Sequence, residues 1–371
     1  MNIAEGATIA ALLEGRDVAV VNSCAVTAAA EKQSRAALRR LRRERPGAEL
    51  VATGCAAARL GGLADRVVPN VAKLTPASWH TGGATPIATS GGARAFVGVQ
   101  DGCDHDCTFC VTTQARGASR SVPVAAVVAH VAALVAAGRR EVVLSGIDLS
   151  GYGRDRGTSL AVLVEAILRQ TALPRLRLSS LDASEVDDAL LELLVEPRVM
   201  PHLHLSLQSG DDLTLKRMKR RHSRAQAVSL VARVKARREV AIGADLIAGF
   251  PTEDAAAFAG TLALLEDCDI VHAHVFPYSP RPDTAAARMP QVAPEMARAR
   301  AAEVRAAAAA RHAAWLAQQI GDVVDVVVEK PGTCGHAPNF ANVGIQAAEV
   351  GAIVPVRIVA ASATQLTGVA A

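Results

Sequence analysis

The sequence predicts an α/β protein built on repeated βαβ units, a parallel sheet or partial (β/α)6 barrel, with a small α/β domain before it and a small β module after it. Three observations carry this expectation. Six apolar, strand-like runs recur between residues 96 and 278 with helical stretches between them, the spacing that βαβ units and a parallel sheet require. Ahead of them stands one isolated strand, helix, strand pattern, and behind them a long Ala-rich helical segment gives way to β-branched runs.

Taken in order, residues 17–22 form a short β-branched run, 28–45 have helical spacing and 49–53 are again strand-like. The Gly-, Thr- and Pro-containing stretch 74–93 breaks all periodicity and reads as a linker. The six barrel runs are 96–100, 141–148, 175–182, 202–209, 242–250 and 271–278, with helices expected at 124–137, 159–169, 224–237 and 254–267. Six units fall short of the eight of a closed barrel. In parallel α/β folds functional groups collect at the carboxyl ends of the strands. The tails of these runs, at 101–110, 145–148, 179–182, 208–210, 249–252 and 278–281, are mostly polar. Residues 294–320 read as one closing helix, and 323–329 and 352–359 as strands of the terminal module.

A chain of 371 residues can hold two or three domains and a sizeable core. Half of it is apolar but only 3% aromatic, which fits a helix-rich α/β protein. The net charge of +4 permits a polyanionic partner without demanding one. No run approaches the ~20 apolar residues of a spanning helix, and residues 1–15 lack the order of a signal peptide. A cytoplasmic protein with no membrane partner is expected. Seven cysteines, an odd number in such a chain, favour metal or catalytic roles over a disulfide framework.

Three of those cysteines crowd into Cys103-Asp-His-Asp-Cys107-Thr-Phe-Cys110, in the loop after the first barrel strand. Thiolates are the standard ligands of iron–sulfur clusters, and three of them leave the fourth iron open to a substrate. Unliganded thiols, or a zinc knuckle completed by His105, are the alternatives.

The C-x3-C-x2-C spacing, with Phe109 before the last cysteine, resembles the radical S-adenosylmethionine (radical-SAM) signature. The resemblance implies that Cys103, Cys107 and Cys110 hold a catalytic [4Fe–4S] cluster, that its open iron chelates S-adenosylmethionine, and that the six βα units are the partial barrel of that superfamily. Val99-Gln-Asp-Gly-Cys103, Arg116-Gly-Ala-Ser-Arg120, Leu205-Ser-Leu-Gln-Ser-Gly210, Asp245-Leu-Ile-Ala-Gly-Phe-Pro251 and Phe276-Pro-Tyr-Ser-Pro-Arg281 resemble the methylthiotransferases within it, over nearly the whole chain. That family implies a second [4Fe–4S] cluster on three N-terminal cysteines. Cys24, in Val21-Asn-Ser-Cys-Ala-Val-Thr27, and Cys55 match two of them. The first is absent, and Met1-Asn-Ile-Ala-Glu-Gly6 resembles the end of the turn that carries it and the start of the following helix. The expectation is therefore a first strand ending in Gly-Cys-Arg encoded directly upstream. The implied domains are 1–80 for the second cluster, lacking that strand, 89–320 for the radical-SAM barrel, and 321–371, similar to the small RNA-binding β-barrel called TRAM.

The Cys-Ala-Val-Thr wording and the basic helix after it resemble the MtaB-type branch, which modifies N6-threonylcarbamoyladenosine at position 37 of tRNA. Isopentenyladenosine in tRNA, a ribosomal-protein aspartate, and a truncated non-catalytic RNA-binding remnant are the alternatives. The family implies tRNA, an electron donor and a sulfur source as partners.

For the cofactor, Phe109 and the strand-end groups Ser145, Gly146, Glu185, Gln208 and Asp245 are candidate contacts, with ordinary loop capping as the alternative. His202 and His204 alternate with apolar residues and read as satisfied core histidines. Cys268 and Cys334 read as structural or incidental thiols. Two basic runs, 35–45 and 216–224, are candidates for phosphate contact or for solvated faces.

Overall fold

In a computed structural model, which describes residues 2–25, 27–82 and 93–371, the N-terminal part is a three-stranded parallel sheet. Helix α1 (Asn2–Leu12) precedes β1 (Val18–Ser23), and α2 (Ala28–Glu44) connects it to β2 (Glu49–Gly54), which pairs in turn with β3 (Arg66–Val67). Thr27 caps α2, its hydroxyl accepting from the Ala30 N–H at 3.1 Å. Successive β2 side chains point to opposite faces. Leu50 and Ala52 therefore pack with Leu38 of α2, while Val51 packs with Ile9 and Leu12 of α1 and with Trp79.

Trp79 changes the reading of the linker. The stretch from 74 turns through a 3-10 helix, Pro76–Trp79, that buries the indole completely and bonds its N–H to the Lys73 carbonyl at 2.7 Å. The composition of this segment resembles a linker, but one large apolar side chain gives it a reason to fold back, a gain of roughly 1.5–3 kcal/mol or more. The remainder of the expected linker, 83–92, lies outside the described residues.

The barrel begins with β4 (Arg94–Gly98), followed by β5 (Gln100–Asp101), the short helix α3 (Thr112–Arg116) and β6 (Arg120–Ser121), the last pairing antiparallel with β5. Then come α4 (Val124–Ala136), β7 (Glu141–Ser145), α5 (Leu160–Gln170), β8 (Arg175–Leu178) and α6 (Asp188–Leu193). The second half comprises β9 (His202–Gln208), α7 (Asp212–Arg217), α8 (Arg224–Lys235), β10 (Ala241–Ala248), α9 (Ala255–Asp267), β11 (Ile270–Pro277) and the closing helix α10 (Pro294–Ala317). All six long strands run parallel. β4, β7 and β8 form one ladder and β9, β10 and β11 another, joined by the bridges Leu176–Val199 and Leu181–Leu205. Val142, Leu144, Leu203, Leu205 and Ile242 belong to the apolar layer shared with Val131, Leu163 and Leu264 of the outer helices. The intervening positions His204, Gln208, Asp245, His274 and Phe276 line the concave face.

Strands β12 (Val323–Glu329), β13 (Cys334–His336), β14 (Asn342–Gly344), β15 (Ile353–Ala361) and β16 (Leu366–Ala370) close into a small five-stranded barrel. Its Phe340 sits at the amino-terminal end of the large barrel, stacked on His202 and His336 (ring centroids 4.9 and 4.7 Å) with Arg94 and Arg177 over its ring at 5.2 and 5.1 Å. Arg177 also holds the buried Glu141 at 3.0 Å and donates to the Pro338 carbonyl at 3.0 Å.

Candidate cluster and cofactor site

The cysteine loop is fixed from three sides. The β5–β6 pair closes it, and Gly102, at φ +75, lies so near the opposite strand that a Cβ would stand 1.9 Å from the Ala118 carbonyl. Only glycine fits there. The Cys103 N–H bonds to the Gly117 carbonyl at 3.1 Å, Thr108 bonds through its N–H and hydroxyl to the carbonyls of Met218 and Arg217 at 3.1 and 2.8 Å, and the Ala286 N–H bonds to the Thr108 carbonyl at 2.9 Å. Gln100, buried and not singled out in the sequence, ties the loop to the next strand end: its amide donates to the Gly102 carbonyl at 2.9 Å and accepts from the Asp148 N–H at 2.8 Å.

Cys103, Cys107 and Cys110 are free and partly exposed. The backbone N–H groups of His105 and Thr112 point at the sulfurs of Cys103 and Cys110, each at 3.4 Å, and Arg220 reaches Cys107 Sγ at 3.6 Å. Such donors stabilise metal-bound thiolate. Burial pushes the Cys103 thiol up to about 12 and raises Cys107 as well, so both are neutral thiols until a bound metal displaces their protons. His105, which would complete a zinc knuckle, turns Nε2 to Asp148 at 2.8 Å and Glu185 at 3.4 Å.

Of the expected cofactor contacts, Phe109, Gln208 and Asp245 line one cavity together with Phe276 and Tyr278, on the concave face beside the cysteine loop. Phe109 and Tyr278 both pack edge-on against Phe250, at 6.3 and 5.4 Å. Ser145, Gly146 and Glu185 are not among the lining residues of that cavity. Gly146 is packed tightly, a Cβ there meeting Gln100 and Leu149 at 3.0 Å. Glu185 is buried, in contact with Arg221 and 2.8 Å from Arg154.

Two expectations change. His202 is buried with neither ring nitrogen hydrogen-bonded, and burial drives its basicity far down, while His204 lies 3.1 Å from the Asp245 carboxylate. These are inner-face groups of the barrel, since alternation along β9 turns them away from the outer helices. The basic run 216–224 is also largely consumed internally: Lys219 pairs with Asp106, Arg220 with Asp182, Arg221 with Glu185 and Arg224 with Asp267. It walls the cysteine loop. On α2, by contrast, the exposed Arg39 and Arg43 have no ion-pair partner among the described residues.

Cys24 and Cys55 each follow one of a pair of aligned residues, Ser23 and Gly54, at the carboxyl ends of β1 and β2. Thr27, three residues beyond Cys24, lines the same cavity as Phe109. Cys55 faces Arg116, whose Nε donates to the sulfur at 3.2 Å. Arg116 also binds Glu5 at 2.8 Å and Asp101 at 2.7 Å, and Lys73 meets Glu5 at 2.6 Å, with Glu5, Lys73 and Arg116 all essentially inaccessible. Burial would raise the Glu5 carboxyl, but Arg116 and Lys73 bring it down to about 2. No sequence periodicity signals such a buried ionic group.

Residues 97–265 match the model of the radical SAM superfamily, and residues 2–73 match that of the uncharacterized protein family UPF0004. The chain is 40% identical to the threonylcarbamoyladenosine tRNA methylthiotransferase MtaB of Rickettsia prowazekii, over 92% of this chain and 88% of that protein. It is 36% identical to the protein of the same name from Aquifex aeolicus, over 79% and 78% of the two chains. It is 34% identical to the tRNA-2-methylthio-N(6)-dimethylallyladenosine synthase of Cereibacter sphaeroides, over 98% and 92%. In fold it is similar to the radical S-adenosylmethionine methyltransferase TsrM of Kitasatospora setae, at a TM-score of 0.55 and 14% identity over 74% of this chain and 68% of that one. With the three-cysteine loop at the mouth of a six-stranded partial barrel, and relatives of this closeness over nearly its full length, the chain is an enzyme of the radical-SAM methylthiotransferase family.

Proposed function

We propose that the enzyme methylthiolates C2 of N6-threonylcarbamoyladenosine at position 37 of tRNA. The observation that carries this reading is that the segments holding Cys103, Cys107 and Cys110 and holding Cys24 both contribute to one cavity. The loop of Cys103, Cys107 and Cys110 supplies Phe109 to its lining, and the β1–α2 turn that begins at Cys24 supplies Thr27. The choice of base follows the names of the Rickettsia and Aquifex relatives.

In this reading the three loop cysteines hold the [4Fe–4S] cluster that binds S-adenosylmethionine, and Cys24 and Cys55 supply two of three ligands to a second [4Fe–4S] cluster. The loop set fits, with three thiols and the Arg220 cation directed at a sulfur to balance a negative cluster; Cys24 and Cys55, the latter faced by Arg116, need a third ligand from outside the pair. When bound, the cluster and cofactor supply the radical and the methyl group. The chain's own residues position and shield. Phe109, Phe276 and Tyr278 offer aromatic surface to a purine, Gln208 and Asp245 offer polar contacts, and the Phe340 plug closes the far end of the barrel. Residues 1–80, 89–320 and 321–371 act as cluster, barrel and TRAM-like domains.

Among the described residues no helix is long and apolar enough to cross a membrane. The reading places the enzyme in the cytoplasm with tRNA, an electron donor and a sulfur source as partners. Nucleoside mass spectrometry of tRNA from a deletion strain tests it: the methylthio group should vanish from threonylcarbamoyladenosine and persist on isopentenyladenosine. Loss from the latter alone would assign the substrate of the Cereibacter relative instead.

A further inference from the structure

The concave face of the barrel carries a polar group below the aromatic cavity. Asp245 Oδ1 on β10 is met by two imidazoles from the flanking strands, His204 Nε2 at 3.1 Å from β9 and His274 Nδ1 at 3.3 Å from β11. The rings of His204 and His274 lie 4.7 Å apart. Gly243, the inward position one pleat below Asp245, makes room for this arrangement: a Cβ there would approach His204 Nδ1 to 2.6 Å. Beneath, His202, His272 and Phe340 seal the lumen. Asp245 also lines the cavity with Phe109, Phe276 and Tyr278, which links the group to it.

Its free valences have a definite pattern. His204 is buried and serves to hold Asp245 in place. The His274 side chain is 65% exposed, and neither its Nε2 nor Asp245 Oδ2 has a hydrogen-bond partner among the described residues. The Asp245 carboxylate raises the basicity of His274 and so favours the protonated ring, in which Nε2 is a donor next to an acceptor oxygen.

We infer that Asp245 and His274 read the threonylcarbamoyl group of the substrate base and set the choice between that base and its isopentenyl counterpart. The inference rests on the substrate reading above. A threonylcarbamoyl group presents a carboxylate, which matches the His274 donor, and a hydroxyl and a urea N–H, which match the Asp245 acceptor. With the purine against the aromatic part of the cavity, its N6 substituent can reach the next pleat down, where the two residues sit. An isopentenyl group has no polar atom to offer and would leave both residues desolvated and unpaired. Sites built to hydrogen-bond a ligand reject its apolar analogue strongly for this reason.

The test uses the full-length, cluster-loaded enzyme under anaerobic conditions and three anticodon stem-loop RNAs that differ only at position 37: threonylcarbamoyladenosine, isopentenyladenosine and adenosine. The wild type should bind the first about tenfold or more tighter than the second, and His274→Phe and Asp245→Asn should each shrink that ratio to within about twofold. His274→Gln, which keeps a donor, should retain part of it. An undiminished ratio in His274→Phe overturns the inference while leaving the substrate reading intact. Asp245→Asn losing affinity for S-adenosylmethionine with the ratio unchanged assigns the carboxylate to the cofactor and also overturns it. A wild type that prefers and methylthiolates the isopentenyl RNA removes the substrate reading, and the inference with it, before any variant is compared.

Discussion

Arg116 donates to the sulfur of Cys55 across 3.2 Å, joining the helix that directly follows the radical-SAM cysteines to the strand end of the N-terminal sheet. The same guanidinium is anchored by Glu5 and Asp101, so one buried side chain connects α1, the cysteine loop and Cys55. The two cysteine sets are held in one frame by these ionic contacts and by an apolar cluster in which Val111, next to Cys110, packs with Ala25 and Leu50 and against Cys55.

Removing Arg116 leaves the buried Glu5, and Asp101, with one partner fewer. Breaking a buried ion pair by deleting one member costs about 3–5 kcal/mol. Arg116→Ala should lower the thermal midpoint accordingly, and Arg116→Lys should recover only part of the loss because it cannot span Glu5, Asp101 and Cys55 together. A midpoint equal to wild type for Arg116→Ala would show that the network is not structural.

Glu5 also sets an acid limit. Its folded value of about 2 lies below the ordinary 4.5. The stabilisation is therefore complete above pH 4.5 and disappears as pH falls toward 2, about 3 kcal/mol in all. Chemical denaturation from pH 6 to 2.5 should show the wild type losing stability more steeply than Glu5→Gln. Parallel curves would contradict the assignment.

Phe340 is predicted to fasten the terminal barrel to the large one. Phe340→Ala should cost about 3–5 kcal/mol and expose the segment around 318–322 to limited proteolysis. Unchanged protection there would mean that the remaining contacts suffice.

The parallel barrel, its helices and the terminal module were legible because each strand is an apolar run with a polar tail, and such runs survive in any α/β context. The three-cysteine loop stood out by its spacing, and its reading as a cluster loop came from resemblance to the radical-SAM signature. The linker was misread at Trp79 because composition cannot report where a single indole lands. The inward face of β9 was misread because alternation tells which residues share a face but not whether that face meets a helix or a lumen. In the basic run 216–224, read as a phosphate surface or a solvated face, four of the six cations pair with Asp106, Asp182, Glu185 and Asp267, carboxylates from four different segments that no local pattern links to the run.

That distinction gives a further prediction for RNA binding. Arg39→Ala with Arg43→Ala on α2 should weaken tRNA affinity uniformly and reduce the slope of log affinity against log salt by about 1–2, since each neutralised phosphate releases counterions. Lys219→Ala should leave the slope near the wild-type value. The reverse ranking would move the RNA surface to the cysteine-loop side.

The most direct measurement is reductive cleavage of S-adenosylmethionine by the anaerobically reconstituted enzyme, with 5′-deoxyadenosine as the readout. Wild type, Cys268→Ala and Cys334→Ala should all produce it, whereas Cys103→Ala, Cys107→Ala and Cys110→Ala should each lose production entirely, because a three-thiolate site has no spare ligand. Wild-type production by any one of the three loop variants would contradict the account.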